Sequence, residues 1–159
     1  MHIELQQTMQ HIMQSDEWNM EDMVKEVSRF TPIDFRLGIQ WLVTQDKPDL
    51  AQALAEAGLS LFPESEDILA ISGLLSMSRQ DWCLAVELLQ DLIAVQQERV
   101  QPMTFQMLAR ALACNLDLAE AHQVLDKALQ YWPQDQTLLA EKLAMSASQD
   151  VLSAPIHTN

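Results

Sequence analysis

The sequence predicts an all-α protein built as a stack of helix pairs, and three observations carry that expectation. The first is composition: three glycines and one tyrosine in 159 residues, with abundant Ala, Leu, Gln and Met, favour helix over an antiparallel sheet. The second is periodicity. Between Pro102 and Asp135, Phe105, Leu108, Ala109 and Leu112 fall on one helical face, and Leu118, Ala121, Leu125, Ala128 and Leu129 fall on another. The third is recurrence. Ala51, Ala85 and Ala121 are spaced by 34 and 36 residues, and Phe35, Leu69 and Phe105 by the same two intervals. A pair of amphipathic helices cannot bury its apolar face alone, so copies at a fixed period imply stacking.

Taken in order, residues 2–14 place Ile3, Met9, Ile12 and Met13 on one side of a helix. Ser15–Asn19 reads as a break, with Asn19 able to cap a second helix whose stripe is Met20, Met23, Val24, Val27 and Phe30. Thr31–Pro32–Ile33–Asp34 is a helix start: a threonine cap, proline in the first position and a carboxylate three residues after the cap. The helix that follows holds Phe35, Ile39, Leu42 and Val43. After a turn at Gln45–Asp49, its mate carries Leu50, Ala51, Leu54, Ala57, Gly58 and Leu61. Pro63 ends that pair, and Ser65 can cap the next helix, with Glu66 and Asp67 near its positive end.

The second pair divides at Ser78–Asp81 and re-enters helix at Trp82, with Ala85, Leu88, Leu89 and Leu92 inward. It has Gln97 where Pro63 and Pro133 close the other copies, and about two extra residues near Gln96–Arg99. The third pair breaks at Asn115–Asp117, where the Asp117 carboxylate can accept from open N–H groups. Asp135 can cap a last helix, in which Leu138, Leu139, Leu143 and Met145 are expected to cover the end of the stack.

A helix–turn–helix of about 34 residues with this order of large, small, small and proline resembles the tetratricopeptide (TPR) repeat. The resemblance covers residues 32–135, in copies at 32–65, 66–101 and 102–135, although no copy holds the full consensus. It implies a right-handed α-solenoid of about three helix pairs, with an N-terminal helical lead at 1–31, a capping helix at 136–148 and a flexible tail at 149–159. Length alone suggests one domain.

Nine basic against 23 acidic residues give a formal charge of −14, which repels phosphate and argues against nucleic acid as a partner. The acidity serves solubility or attracts a basic partner. Cys83 and Cys114 lie within helical patterns without paired spacing and are expected as buried thiols. The four histidines show no metal-ligand spacing, so neither metal nor cofactor is expected. Glycines at 38, 58 and 73 alone allow no phosphate loop, and no nucleophile elbow occurs, so no catalytic residue is nominated and the chain is expected not to be an enzyme. Met1–Gln14 carries Glu4 and many glutamines rather than a leader pattern, and no run approaches a membrane span, so a cytoplasmic protein without membrane contact is expected.

The TPR resemblance also implies where a ligand goes, because the first helices of successive repeats line a concave groove. In this register the groove offers Ile33, Arg36, Gln40, Val43 and Thr44, then Asp67, Ala70, Leu74, Met77 and Ser78, then Met103, Gln106, Arg110, Ala113 and Cys114. The binding set is taken as Ile33, Arg36, Gln40, Val43, Ala70, Leu74, Met77, Met103, Gln106 and Arg110, with Lys127 on a featureless outer face. Apolar pockets with amide and guanidinium groups suit a bound peptide. The layout, and the run Ala111–Leu112–Ala113–Cys114 with Leu118–Ala119–Glu120–Ala121, is similar to the TPR chaperones of bacterial type III secretion. That implies a protein client such as a translocator or needle subunit, with a homodimer through the N-terminal helices as a further option. The alternative is a generic TPR scaffold or assembly factor of another bacterial complex.

Overall fold

A computed structural model describes residues 2–14 and 19–153; within these, the side chains of His2, Met13, Met20 and residues 148–153 are left undescribed. Its helices are α1 (His2–Gln14), α2 (Met20–Val27), α3 (Pro32–Thr44), α4 (Pro48–Leu61), α5 (Glu66–Ser78), α6 (Trp82–Gln96), α7 (Pro102–Cys114), α8 (Leu118–Tyr131) and α9 (Gln136–Ser153). A 3₁₀ turn, Gln97–Arg99, links α6 to α7, and no strand occurs among the described residues. The fold class is the all-α solenoid of helix pairs that the sequence predicts.

The predicted caps form for the predicted reasons. Thr31 and Asp34 make a reciprocal capping box, with the Thr31 backbone N–H donating to Asp34 Oδ2 at 3.0 Å. Asn19 accepts from the Asp22 N–H, Asp117 from that of Glu120, and Asp135 from that of Leu138. Ser65 occupies the cap position of α5, but its hydroxyl accepts no capping bond.

Two compact units result, residues 1–81 and 82–159, so the second predicted repeat is divided between its two helices. A stack of repeats buries its faces between neighbours, and so has no single centre. In the first unit, α1 packs on α3, α2 on α4, and both α3 and α4 on α5. Leu5, Met9, Met23, Val27, Phe35, Ile39, Leu42 and Leu54 form its interior. In the second, α7 packs on α6 and α8, and α9 lies against α7 and α8. Ala121, the anchor of the third copy, is fully buried there, as are Leu125 and Leu138.

Several expectations are corrected. In α1, Leu5, Met9 and Ile12 face inward while Ile3 is 68% exposed, so the buried stripe is one that starts from Leu5. Met13 lies outside the described side chains. Both cysteines are exposed: Cys83 follows the first residue of α6 and Cys114 closes α7, each on the face turned from the helix contacts. In α9, Leu138 and Met145 are buried, but Leu139 and Leu143 remain exposed, since they occupy the face that in α3 and α7 meets the second helix of a pair. Helix α9 continues to Ser153, into the stretch expected as a flexible tail, whose last residues, 154–159, lie outside the described residues together with 15–18.

The turns reveal a device that no glycine announced. Asp46, Gln80 and Leu116 adopt left-handed backbone, with φ of 55°, 62° and 65°. At each, the following N–H reaches back across the helix end: Lys47 to the Leu42 carbonyl, Asp81 to that of Ser76, and Asp117 to that of Leu112, at 3.0, 2.9 and 2.9 Å. These are Schellman closures, recurring at the 34- and 36-residue intervals of the sequence, and they set the angle at which each first helix turns into its mate.

Candidate peptide-binding surface

Helices α3, α5 and α7 bury the same positions. The third, fourth, seventh, eighth and eleventh residues of each are inside, from Asp34, Phe35, Gly38, Ile39 and Leu42 in α3 to Thr104, Phe105, Leu108, Ala109 and Leu112 in α7. The ten residues assigned to the groove all fall outside these positions. Ile33, Val43, Leu74 and Met103 are 53%, 50%, 47% and 67% exposed, which water alone does not favour for side chains of this size. Gln40 and Arg110 are exposed, and Arg36, Ala70, Met77 and Gln106 are half-buried.

In the first unit, part of this set forms a concavity. A cleft of about 320 Å³ runs between α3 and α5, lined by Gln40, Val43 and Thr44 on one wall and Leu74 and Ser78 on the other. Ile39, Ile71 and Leu75 also line it, and the sequence reading assigned none of these to the groove. Ile39 was read as inward from periodicity, and all three belong to the buried core; a side chain can close the interior with one edge and line a cleft with the other. Ile33, Arg36, Ala70 and Met77 lie outside that lining.

Electrostatics change the roles of both arginines. Arg36 Nε lies 2.9 Å from Asp67 Oδ1 but off the N–H direction, so α3 and α5 share an ion pair rather than a directed hydrogen bond. In the second unit, Arg110 Nε donates to Glu141 Oε2 at 2.8 Å, its Nη2 lies 2.6 Å from that oxygen as an ion pair, and Gln106 Nε2 donates to the same oxygen at 2.8 Å. These bonds, the Arg110 hydrogen bond foremost, hold the Glu141 carboxyl below its usual range against the opposing effect of burial, and raise Arg110 in turn. Glu141 itself is only 11% exposed. The guanidinium groups thus face carboxylates of their own chain. Extending the register of first helices to α9 would have found Glu141 from sequence; Asp67 was already on the predicted face.

Lys127, expected on a featureless outer face, borders a cleft of about 660 Å³ in the second unit beside Phe105 and Trp132. Among the described residues, no group of three or more His, Cys, Asp or Glu is placed to hold a metal ion, and no helix is long and apolar enough to cross a membrane.

No protein-family model matches the chain, and no curated protein matches it. Solved structures do. The N-terminal domain of stress-induced protein-1 from C. elegans is similar over 82% of this chain and 99% of its own, at 14% identity and a TM-score of 0.62. A Podosopora anserina protein described as a kinesin light chain with nearly identical TPR-like repeats is similar over 82% of this chain and 76% of its own, at 17% identity and a TM-score of 0.65. With the buried positions, turn closures and helix pairs recurring at the TPR period, the chain has a tetratricopeptide-repeat type of fold.

Proposed function

We propose that the chain is a protein–protein interaction module that holds an extended peptide segment of a client on the α3–α5 surface. The observation that carries this reading is the cleft whose walls are Gln40 and Val43 on one side and Leu74 on the other. Apolar floors take side chains, the Gln40 amide can bond a peptide backbone, and the Thr44 and Ser78 hydroxyls, which donate to the Trp41 and Leu75 carbonyls, can still accept from its N–H groups. The role is binding rather than catalysis. The more specific reading, resting on the layout and the α7–α8 segment, is a cytoplasmic chaperone that keeps a translocator or needle subunit of type III secretion soluble. In that reading the cleft shields an apolar segment of the client until export strips it off.

The test is co-expression with the amphipathic or membrane-inserting subunit encoded beside this gene. The expected result is a soluble one-to-one complex that Leu74→Asp weakens on the order of ten-fold or more, as loss of a central apolar anchor does, while helicity is kept. A neighbour that stays insoluble removes the secretion reading. A complex indifferent to both Leu74→Asp and Val43→Asp removes the α3–α5 surface.

A further inference from the structure

The second unit contains an opening that the first unit fills. Its cleft of about 660 Å³ lies where the end of α6 and the 3₁₀ turn meet α7 and α8, with Ile93, Phe105 and Trp132 as apolar walls. The same place exists 70 residues upstream, where Met23, Phe35 and Phe62 stand for those three. The ring pairs match: Phe35 and Phe62 are 5.9 Å apart, Phe105 and Trp132 6.0 Å. In the first unit the space between them is solid core, closed by Val27, Phe30 and Ala57, none more than 3% exposed. In the second unit those three positions are Gln97, Val100 and Lys127, and all three line the cleft.

One exchange removes side-chain volume, and the other two put polar groups where the first unit has apolar ones. Val100 holds the position before the α7 cap, as Phe30 does before that of α3, but it lacks the phenyl ring. Gln97 has φ 51° and leaves the helical path that Val27 follows. Lys127 brings an ammonium group that no carboxylate meets among the described residues, in a chain with 23 acidic side chains. The rim also carries Glu98 and the exposed Tyr131. A concavity of this size, mostly apolar with a few polar groups at its edge, has the make-up of a ligand site.

We infer that this cleft binds an aromatic side chain of a partner polypeptide, its ring taking the place that the Phe30 phenyl holds in the first unit, with an adjacent acidic residue of the partner paired to Lys127. The site is separate from the α3–α5 surface and does not depend on it.

Titration of the ¹⁵N-labelled chain with the amidated peptide acetyl-Asp-Phe-Asp tests this through the indole signals. A saturable shift of the Trp132 indole is expected while that of Trp41, in the first unit, stays still. Acetyl-Asp-Ala-Asp should shift nothing, and acetyl-Asn-Phe-Asn should bind roughly two- to five-fold more weakly, the worth of one exposed ion pair. Val100→Phe supplies the missing ring from within, so it should abolish the shift while leaving the thermal midpoint unchanged or higher. Lys127→Gln should bring the Asp peptide down to the affinity of the Asn peptide. An unmoved Trp132, an equal response to the Ala peptide, or binding that survives Val100→Phe overturns the inference. Should Val100→Phe not fold, the Ala peptide and Lys127→Gln decide, and equal binding of the Asp and Asn peptides removes the acidic residue from the proposed occupant.

Discussion

The α4–α5 and α6–α7 exits, each from a second helix into the next first helix, end their helices differently. At the α4–α5 exit, Phe62 turns back on Phe35, its N–H bonds the Gly58 carbonyl at 2.8 Å, and Pro63 forbids further helix. At the α6–α7 exit no aromatic or proline stands in the corresponding place. Helix α6 runs on to Gln96, tightens into a 3₁₀ turn and passes through left-handed Gln97 before Val100 is tucked in. The α8–α9 exit returns to the first pattern, with Trp132, Pro133 and an N–H bond to the Ala128 carbonyl. Where an aromatic and a proline agree on the stopping point, the surrounding helices pack against a defined edge. At the α6–α7 exit the chain keeps its hydrogen bonds by a longer route, and a cleft lies beside Phe105. What sets the α6–α7 junction apart from its filled counterpart at α2–α3 is the pair of residues beside it: Val27 and Phe30 there, Gln97 and Val100 here.

The sharpest way to break that comparison is to remove the two matched rings. Phe35 is fully buried in a filled interior, so Phe35→Ala should cost about 3–5 kcal/mol, the usual range for a buried phenylalanine. Phe105 is 4% exposed but has the cleft along one side, so part of its packing is already missing and Phe105→Ala should fall at or below about 3 kcal/mol. Urea unfolding of the two variants measures the difference. Equal losses would mean that the cleft costs Phe105 no contacts and that the two interiors are equally filled.

How much of this was legible in sequence follows from what sequence patterns encode. The helices, the Thr31–Asp34 capping box and the small residues at close crossings were readable because each depends on residues within a few positions. The recurrence of the same buried positions on α3, α5 and α7 follows from one period of about 35 residues. The pairing of Arg110 with Glu141 was not readable, because it links residues 31 apart on helices whose register had been read only as repeat and cap. The cleft was half legible: the two extra residues near Gln96–Arg99 marked its place. The change in its lining appears only when Val27, Phe30 and Ala57 are set against Gln97, Val100 and Lys127 at twice the period. The left-handed turns were hidden because Asp46, Gln80 and Leu116 supply no glycine.

A smaller effect separates the two arginine pairs. Both side chains of the Arg36–Asp67 pair are partly exposed and no directed hydrogen bond joins them, so Arg36→Ala should change stability by less than about 0.5 kcal/mol. Glu141 is mostly covered and takes two hydrogen bonds beside the ion pair, so Arg110→Ala should cost nearer 1 kcal/mol, held to that figure because Arg110 is 55% exposed and screened. The pH dependence has a definite sign. The folded carboxyl of Glu141 titrates below its ordinary value, so its contribution is complete above that value, roughly 4.3, and is lost as pH falls through the folded one. Stability measured against Glu141→Gln should therefore show the wild-type advantage at neutral pH and its disappearance only under more acidic conditions. An advantage that instead vanishes near pH 6 would show that a different group carries it.

The smallest expected effect concerns the turns. Leu116 and Asp46 close equivalent helices with the same left-handed backbone, yet one is an aliphatic residue 92% exposed and the other a residue type that tolerates this region. Left-handed backbone costs an ordinary side chain on the order of 1 kcal/mol, and Leu116 recovers almost none of it through burial. Leu116→Asn removes most of that strain without adding freedom to the unfolded chain. Leu116→Gly removes all of it but gives back about 0.4–1 kcal/mol through unfolded-state entropy. Leu116→Asn should therefore stabilise by about 0.5 kcal/mol and Leu116→Gly by the same or less, while Asp46→Asn should be neutral. The denaturation midpoint should rise with an unchanged urea slope, since the compactness of both states is preserved. A loss of stability in both Leu116 variants would mean that the leucine side chain makes a contact outweighing its backbone strain, and that the α7–α8 turn is held by more than its Schellman closure.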